Sequence, residues 1–381
     1  MPPGDRRALQ FGLFLWGAAE GLYIYLLPLQ IRHLGGDATA VGLVAAIQAL
    51  VAGVSMILAG TLADRFGRVP VIRFGAIIAV PGAIVWAIAP HWEWMIVGTV
   101  PWAISFASFP AIVGYIGAAH EDHDDHVGAF GSILAFFSLG MIITPAIGGA
   151  IAVYAHDIRP VFVLSLVFFV LATVVIWPLT PQDMEPHDPF RVVLRVFLTH
   201  GSLLLLSGYL FVLIFAMAMT SSFVGPYLQD RDHASDLVVG LLGSCTSAGE
   251  FLIGQRLGRM NDWLGRTRTL VLLQATMALS LVLLLAIHSS ILLAPSFVLR
   301  GAIATASNMA MTFVGVILPA QQRGAGFGLL SLAVQMGLMA SAYTAGLLYA
   351  GGIDRPFVVS LALLAATAAV TGPVVARLLR E

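Results

Sequence analysis

The stretch Gly60-Thr61-Leu62-Ala63-Asp64-Arg65-Phe66-Gly67-Arg68 returns 198 positions later as Gly258-Arg259-Met260-Asn261-Asp262-Trp263-Leu264-Gly265-Arg266. Each stretch separates two long apolar runs and therefore reads as a tight turn between helices. A short turn needs a residue free to take positive φ, which Gly67 and Gly265 supply. Asp64 and Asp262 are placed to accept hydrogen bonds from exposed N–H groups at a helix start. Arg65, Arg68 and Arg73 can also fix topology by facing anionic lipid. Weaker matches share the offset: Pro28-Leu29-Gln30 with Pro226-Tyr227-Leu228-Gln229, Val41-Gly42-Leu43 with Val239-Gly240-Leu241, and Arg159-Pro160 with Arg355-Pro356, their leading residues 196 to 198 positions apart. Agreement in order and offset points to two six-helix halves related by duplication.

Composition sets the solvent. Of 381 residues, 59% are hydrophobic and 10% charged, where a soluble domain carries about 25% charged residues. Such a chain cannot cover a water-facing surface, so it is expected to be an all-α integral membrane protein. A span with its connection takes about 30 residues, which leaves room for twelve transmembrane helices and none for a large extramembrane enzyme. Apolar runs fall near 9–31, 40–62, 70–89, 94–118, 127–154, 159–178, 200–227, 236–257, 268–288, 291–317, 325–350 and 356–379. This predicts two pseudo-symmetric six-helix bundles, 1–180 and 200–381, joined by a cytoplasmic linker at 181–199. There Pro181, Pro186 and Pro189 break helix, and Asp183, Glu185 and Asp188 hold the chain in water.

All 19 basic residues are arginine, which excludes lysine Schiff-base chemistry and a phosphate-binding loop that ends in lysine. The lone Cys245 excludes an intrachain disulfide and a cysteine-ligated cluster. Intervals 63–69, 119–126, 179–199, 258–267, 318–324 and the termini hold or border 12 of the 19 arginines, against Arg32 and Arg231 on the other side. Both termini are accordingly expected in the cytoplasm, with the first span a retained helix rather than a signal peptide. A bacterial inner membrane is the expected location.

The nine-residue stretch resembles the signature loop of the major facilitator superfamily, and the resemblance extends over the whole chain. It implies the superfamily's twelve-helix fold, and a loop (Gly60, Asp64, Arg65, Gly67 and Arg68, repeated as Gly258, Asp262, Gly265 and Arg266) that latches the halves together on the cytoplasmic side in the outward-open state. A second element, Gly140-Met141-Ile142-Ile143-Thr144-Pro145-Ala146-Ile147-Gly148-Gly149, resembles the glycine-proline motif in the fifth helix of drug:proton antiporters, with Thr144 where glycine is usual. Read from the residues alone, Gly140, Pro145 and Gly149 describe a pliable, closely packed helix. Many relatives carry an arginine in the fourth helix that is implicated in proton handling. Here Gly98-Thr99-Val100-Pro101-Trp102 has none, and Arg300 holds a comparable place in the tenth.

The repeat separates scaffold from function, because a costly residue present in one half only needs a reason beyond the fold. Glu20 has Ala218 at its equivalent position, Glu250 has Ala52, and Arg300 falls opposite Trp102. A charge at these depths costs on the order of 3 kcal/mol or more. Glu20 shares a helical stripe with Trp16, Tyr23 and Leu27, on the first helix, which the resemblance places at the central cavity with the fourth, seventh and tenth. Apolar surroundings disfavour the charged form of a carboxyl group, which suits a group that exchanges protons between two aqueous sides. Glu20 and Glu250 are thus expected to couple transport to protons; the alternative for Glu20 is a structural hydrogen bond, with Gln48 as partner. Arg300 either neutralises Glu250 or binds an anionic substrate.

Trp16, Glu20, Tyr23, Trp102, Phe106, Tyr209, Arg300 and Asn308 are the expected substrate contacts. With Ser105, Phe109, Phe215, Met217 and Thr220 they suggest an amphipathic, largely aromatic cavity, poor in the Asn, Gln and Asp that a sugar would call for. The run His120-Glu121-Asp122-His123-Asp124-Asp125-His126 has metal-like and acyltransferase-like spacings, and also the composition of a solvated loop. The sequence therefore predicts a secondary transporter, not an enzyme, driven by an ion gradient and working by alternating access, with proton-coupled efflux of an amphipathic molecule foremost. Its rivals are an anionic or lipid-like substrate and a facilitator without proton coupling. No cofactor, metal or nucleic acid is expected, only a small-molecule substrate, protons and the lipid bilayer, with the chain acting as a monomer.

Overall fold

The apolar runs fold as helices. The computed structural model describes residues 1–118, 123–182, 194–195, 198–311 and 320–378; within these, the side chains of 60–61, 64, 118, 123–131, 291, 310–311, 320–325 and 327–328 lie outside the description. Among the described residues the helices group into twelve spans. The first is α1 (Pro3–Tyr23) with α2 (Leu27–His33), the second α3 (Ala38–Phe66), the third α4 (Arg68–Ile88) and the fourth α5 (Glu93–Ile104) with α6 (Ser108–Ala118). The fifth is α7 (His123–Ala155) and the sixth α8 (Arg159–Ile176). The seventh is α9 (Gly201–Ala218) with α10 (Val224–Asp232), the eighth α11 (Asp236–Leu264) and the ninth α12 (Arg266–Ala286). The tenth contains α13 (Ala294–Arg300) and α14 (Ala302–Met311), the eleventh is α15 (Ala320–Gly351) and the twelfth α16 (Arg355–Leu378). α3 and α11 are both 29 residues long, and α4 and α12 both 21, so the repeat persists in the helix boundaries.

Sequence fixes these boundaries locally. Asp37 caps α3 by accepting from the Ala40 N–H at 2.8 Å, and Ser235 does the same for α11 with Val238. Gly67 (φ 85°) and Gly265 (φ 77°) make the turns into α4 and α12 in a backbone region that side chains avoid. The lipid-facing surface is equally legible on α8, where Val163, Val167, Val170 and Val174 form an exposed apolar stripe while Phe162, Ser165, Phe169 and Ala172 are buried. Water would penalise that stripe and hydrocarbon does not. The chain is an integral membrane protein.

The structure departs from the sequence expectation by breaking the first, fourth, seventh and tenth spans near their middles. α1 and α2 meet at a 40° bend, Ser105–Ala107 is a short 3-10 turn between α5 and α6, and α9 ends at Ala218 before α10 begins at Val224. Proline explains three of the breaks, since it cannot donate to the carbonyl four residues earlier and its ring crowds that carbonyl. Pro28, Pro110 and Pro226 lie one turn beyond Ile24, Phe106 and Ser222, at the interruptions themselves. In the tenth span the break falls at Gly301, where the backbone of Glu250 sits too close for any side chain.

The bundles pack through small residues. On one side of α7, Gly140 and Gly148 lie against the backbone of α1 at Phe14 and Leu22. Thr144 Oγ1 there donates to the Ala18 carbonyl at 2.8 Å and the Gly140 carbonyl at 3.0 Å. On its other side Gly149 meets Asp236 and Leu237, and Pro145 meets Gly240, both on α11. The eleventh span repeats this plan, with Gly337 against Phe211 and Ile214 of α9 and Gly346 against Ala38 and Gly42 of α3. These close contacts between bundles lie toward the end poor in arginine. There Arg32 Nη2 also pairs with Asp230 Oδ1 at 2.8 Å, and Tyr349 donates to Asp230 at 2.8 Å.

Candidate functional site

Two cavities of about 370 Å³ each open between the bundles, at the depth where the spans break. Glu20 of α1 and Glu250 of α11, one acid from each bundle, line the first, which we call the carboxyl cavity. Its other walls include Trp16, Phe106, Phe109, Phe137 and Met141, with Leu13 and Ile112 toward the arginine-rich end. Glu20 is 9% exposed, whereas Glu250 is exposed and lines the same space. Neither carboxyl accepts a hydrogen bond or pairs with a cation among the described residues. Gln48 lines the other cavity, so it is not the partner of Glu20 that the sequence suggested.

Arg300 lines the second cavity, the guanidinium cavity, at the C-terminus of α13. It is 3% exposed, and its Nη2 donates to Thr220 Oγ1 at 2.9 Å. Its Nη1 is buried without a hydrogen-bond partner. No ion pair joins Arg300 to Glu250, although Gly301 touches the Glu250 backbone and Gly249 touches Val298. The two charges stand on touching turns of α11 and α13–α14 and line different cavities. Ile24 and Phe106 are walls of both, and the Tyr25 hydroxyl of the guanidinium cavity reaches Ser247 Oγ of the carboxyl cavity at 3.5 Å.

The sequence-predicted contacts divide accordingly. Trp16, Glu20 and Phe106 gather with Glu250, while Tyr23, Trp102 and Phe106 gather with Arg300. Tyr23 and Trp102 also belong to an aromatic core, with rings 6.1 Å apart and Trp86 and Phe162 beside Tyr23. Tyr209 and Asn308 line neither cavity. The Tyr209 hydroxyl is 3.0 Å from Thr371 Oγ1 and accepts from Gln274 Nε2 at 3.5 Å, a packing role on α9. Asn308 is exposed. Sequence reasoning missed Tyr25, Ser247 and Gln335 as cavity residues; the helix breaks that expose Tyr25 were signalled by Pro28.

The signature turn holds the first bundle to the start of the linker. Arg68 Nη1 donates to Gln182 Oε1 at 3.2 Å, and Gln182 Nε2 to the Tyr115 carbonyl at 2.9 Å. Arg73 donates to the carbonyls of Trp177 and Leu179. Arg65 lies over the ring of Phe66. In the repeat, Asp262 is exposed and accepts no hydrogen bond from a described residue, so the expected cap is not made there. Gly258 has open space around it, and Arg266 starts α12. Gly60 and the Asp64 side chain lie outside the description, as do 183–193 of the linker and the side chains of the His120–His126 run.

Twelve spans in two bundles with cavities between them define an integral membrane protein built on a transporter fold. The chain belongs to the Major Facilitator Superfamily, which it matches over residues 9–235 and 209–381. Among curated proteins it is similar to the multi-drug resistance efflux pump PmrA of Streptococcus pneumoniae, 27% identical over 281 residues that make up 70% of this chain and 69% of the relative. It is also similar to the quinolone resistance protein NorA of Staphylococcus aureus, 26% identical over 246 residues and 62% of each chain. Among solved structures, the nucleoside transporter NupG superposes with a TM-score of 0.78 at 15% identity, over 99% of both chains. A bacterial homologue of the human lysosomal transporter Spinster gives 0.72 at 18% identity, over 100% of this chain and 95% of that one.

Proposed function

We propose that the protein exports a hydrophobic or amphipathic small molecule in exchange for protons, by alternating access. One observation carries this reading: Glu20 and Glu250, from opposite bundles, line one largely apolar cavity, and among the described residues no cation or hydrogen bond holds either carboxyl. An acid so placed is free to gain or lose a proton as water reaches it from one side or the other. The aromatic walls suit an amphipathic cargo, and the efflux and resistance roles in the names of PmrA and NorA support export. The absence of lysine from the sequence leaves no phosphate-binding loop of the usual type, so a proton or other ion gradient drives any uphill transport.

In this reading 1–180 and 200–381 are the two moving bundles and 181–199 their cytoplasmic linker. The arginine-rich end and both termini face the cytoplasm of a bacterial cell. The small-residue contacts at the other end then close the outer side, and the carboxyl cavity loads from within. The turns at Gly60–Arg68 and Gly258–Arg266 act when the closure reverses, and one chain suffices.

The test is flux in proteoliposomes under an imposed pH gradient, comparing wild type with Glu20→Gln and Glu250→Gln across lipophilic cations, neutral amphiphiles and organic anions. Gradient-driven flux is expected in the wild type and lost in Glu20→Gln. Flux indifferent to both the gradient and the substitution would overturn proton coupling and make the protein a facilitator.

A further inference from the structure

We infer that the arginine-rich end of α11 is a binding site for an anionic phospholipid, whose phosphate sits between Arg256 and Arg259 with Trp263 at the same membrane interface. The first ground is register. Leu241, Leu252, Arg256, Arg259 and Trp263 fall within about 60° of one another around the helix, and all five are exposed, Trp263 by 83%. Glu250 lies at least about 120° away from them and lines the carboxyl cavity. The stripe is therefore the lipid-facing side of the span, apolar at first, then carrying two guanidiniums one turn apart, then an aromatic ring. Depth agrees with this. From Asp236, where the span begins, Arg256 lies about 30 Å along the axis and Arg259 about 35 Å, against a hydrocarbon core of about 30 Å. Helical side chains lean toward the helix start, and Arg256 Nη1 donates to the Leu252 carbonyl at 3.1 Å. Its charge is thus drawn to the edge of the hydrocarbon, where a cation is costly without an anion.

The second ground is the repeat. At the equivalent positions of α3, 198 residues before Leu252, Arg256 and Arg259, stand Val54, Leu58 and Thr61. Val54 and Leu58 are exposed as well, so the two helices turn the same side to lipid and only α11 puts charge there. The arginines that follow the first signature turn are held by the protein, Arg68 by Gln182 and Arg73 by the carbonyls of Trp177 and Leu179. Among the described residues, by contrast, Arg259 has no hydrogen bond or ion pair, and Arg256 bonds only its own helix. Side chains three positions apart on a helix stand about 5–6 Å from Cβ to Cβ, close enough for two guanidiniums to share the oxygens of one phosphate. Leu241 and Leu252 continue the stripe toward the membrane interior and offer surface to an acyl chain, which favours a lipid over a free phosphate.

The experiment uses the full-length protein in phosphatidylcholine vesicles, with a small fraction of the lipid replaced by phosphatidylglycerol or phosphatidylcholine that carries a nitroxide near the headgroup end of one acyl chain. Quenching of Trp263 is read as the difference from Trp263→Phe. Wild type is expected to prefer phosphatidylglycerol about fivefold or more, the fold-change that one arginine supplies at a membrane surface. Arg256→Gln combined with Arg259→Gln should erase the preference. Arg6→Gln combined with Arg7→Gln removes the same charge from exposed positions at the same end and should leave it intact. Equal quenching by the two lipids in the wild type, or an equal loss of preference in the two double variants, would overturn the site and leave a diffuse attraction to the basic end. Displacement of the lipid by soluble glycerol phosphate would overturn the lipid as its occupant. Lipid contact is read here and not flux, so the outcome does not depend on proton coupling.

Discussion

If the protein works by the alternating access proposed above, Gly240→Ala separates its two end-states by one methyl group. A Cβ at Gly240 would meet the Pro145 carbonyl and lie within 3.2 Å of the Gly149 Cα. Both obstacles are backbone, so no side chain can swing away. Overpacking of a close contact costs about 1–3 kcal/mol, and the cost falls only on the arrangement in which α7 and α11 touch. The equilibrium should therefore move toward opening at this end by about 5-fold to about 140-fold, at 1.4 kcal/mol per decade. The assay is maleimide labelling of Ser222→Cys, a wall of the guanidinium cavity, in a Cys245→Ala background, from the arginine-poor side. Gly254→Ala is the control: nothing lies within 4 Å of it, and it carries the same gain of about 1 kcal/mol in helix propensity. Labelling that accelerates in Gly240→Ala and not in Gly254→Ala is the expected outcome. Equal rates in the two variants would refute the assignment of this contact to the closed end.

Two further substitutions test roles within the site. Tyr209→Phe removes a hydroxyl that bonds only Thr371 and Gln274, so it should lower thermal stability by about 1 kcal/mol and leave ligand affinity unchanged; a tenfold loss of affinity would return Tyr209 to the binding surface. Moving the acid across the repeat, Glu20→Ala with Ala218→Glu, places it in the cavity of Arg300, where the two should pair. Gradient-driven flux is then expected to stay lost, and its recovery would show that depth in the membrane matters and the cavity does not.

The spans, the duplication and the three asymmetric charges were legible because each depends on local pattern: apolar run length, a recurring turn, a charge with no counterpart. The breaks in the first, fourth and seventh spans were written in the sequence too, one turn ahead of Pro28, Pro110 and Pro226, but an apolar run reads as continuous across a proline. What could not be read is which faces meet. The pairing expected between Arg300 and Glu250 follows from their rarity alone, whereas the structure turns their side chains into separate cavities through the contact at Gly301. Tyr209 misled for a similar reason: a polar tip in a span points either to a ligand or to neighbours such as Thr371 and Gln274, which lie 162 and 65 residues away.

The placement of charge is what makes a symmetric scaffold useful. A strictly repeated chain would set a second acid at Ala218 and at Ala52, and a second arginine at Trp102, all three of them walls of the guanidinium cavity. Acids there would neutralise Arg300 within the protein, and a second arginine would repel it, by about 2 kcal/mol at ~8 Å with an effective dielectric constant of ~20. Small or aromatic residues at those three positions keep the guanidinium unpaired and leave the acids together on the other side of Phe106. The fold thus supplies two similar bundles, while the residues that break their equivalence sort opposite charges into neighbouring cavities.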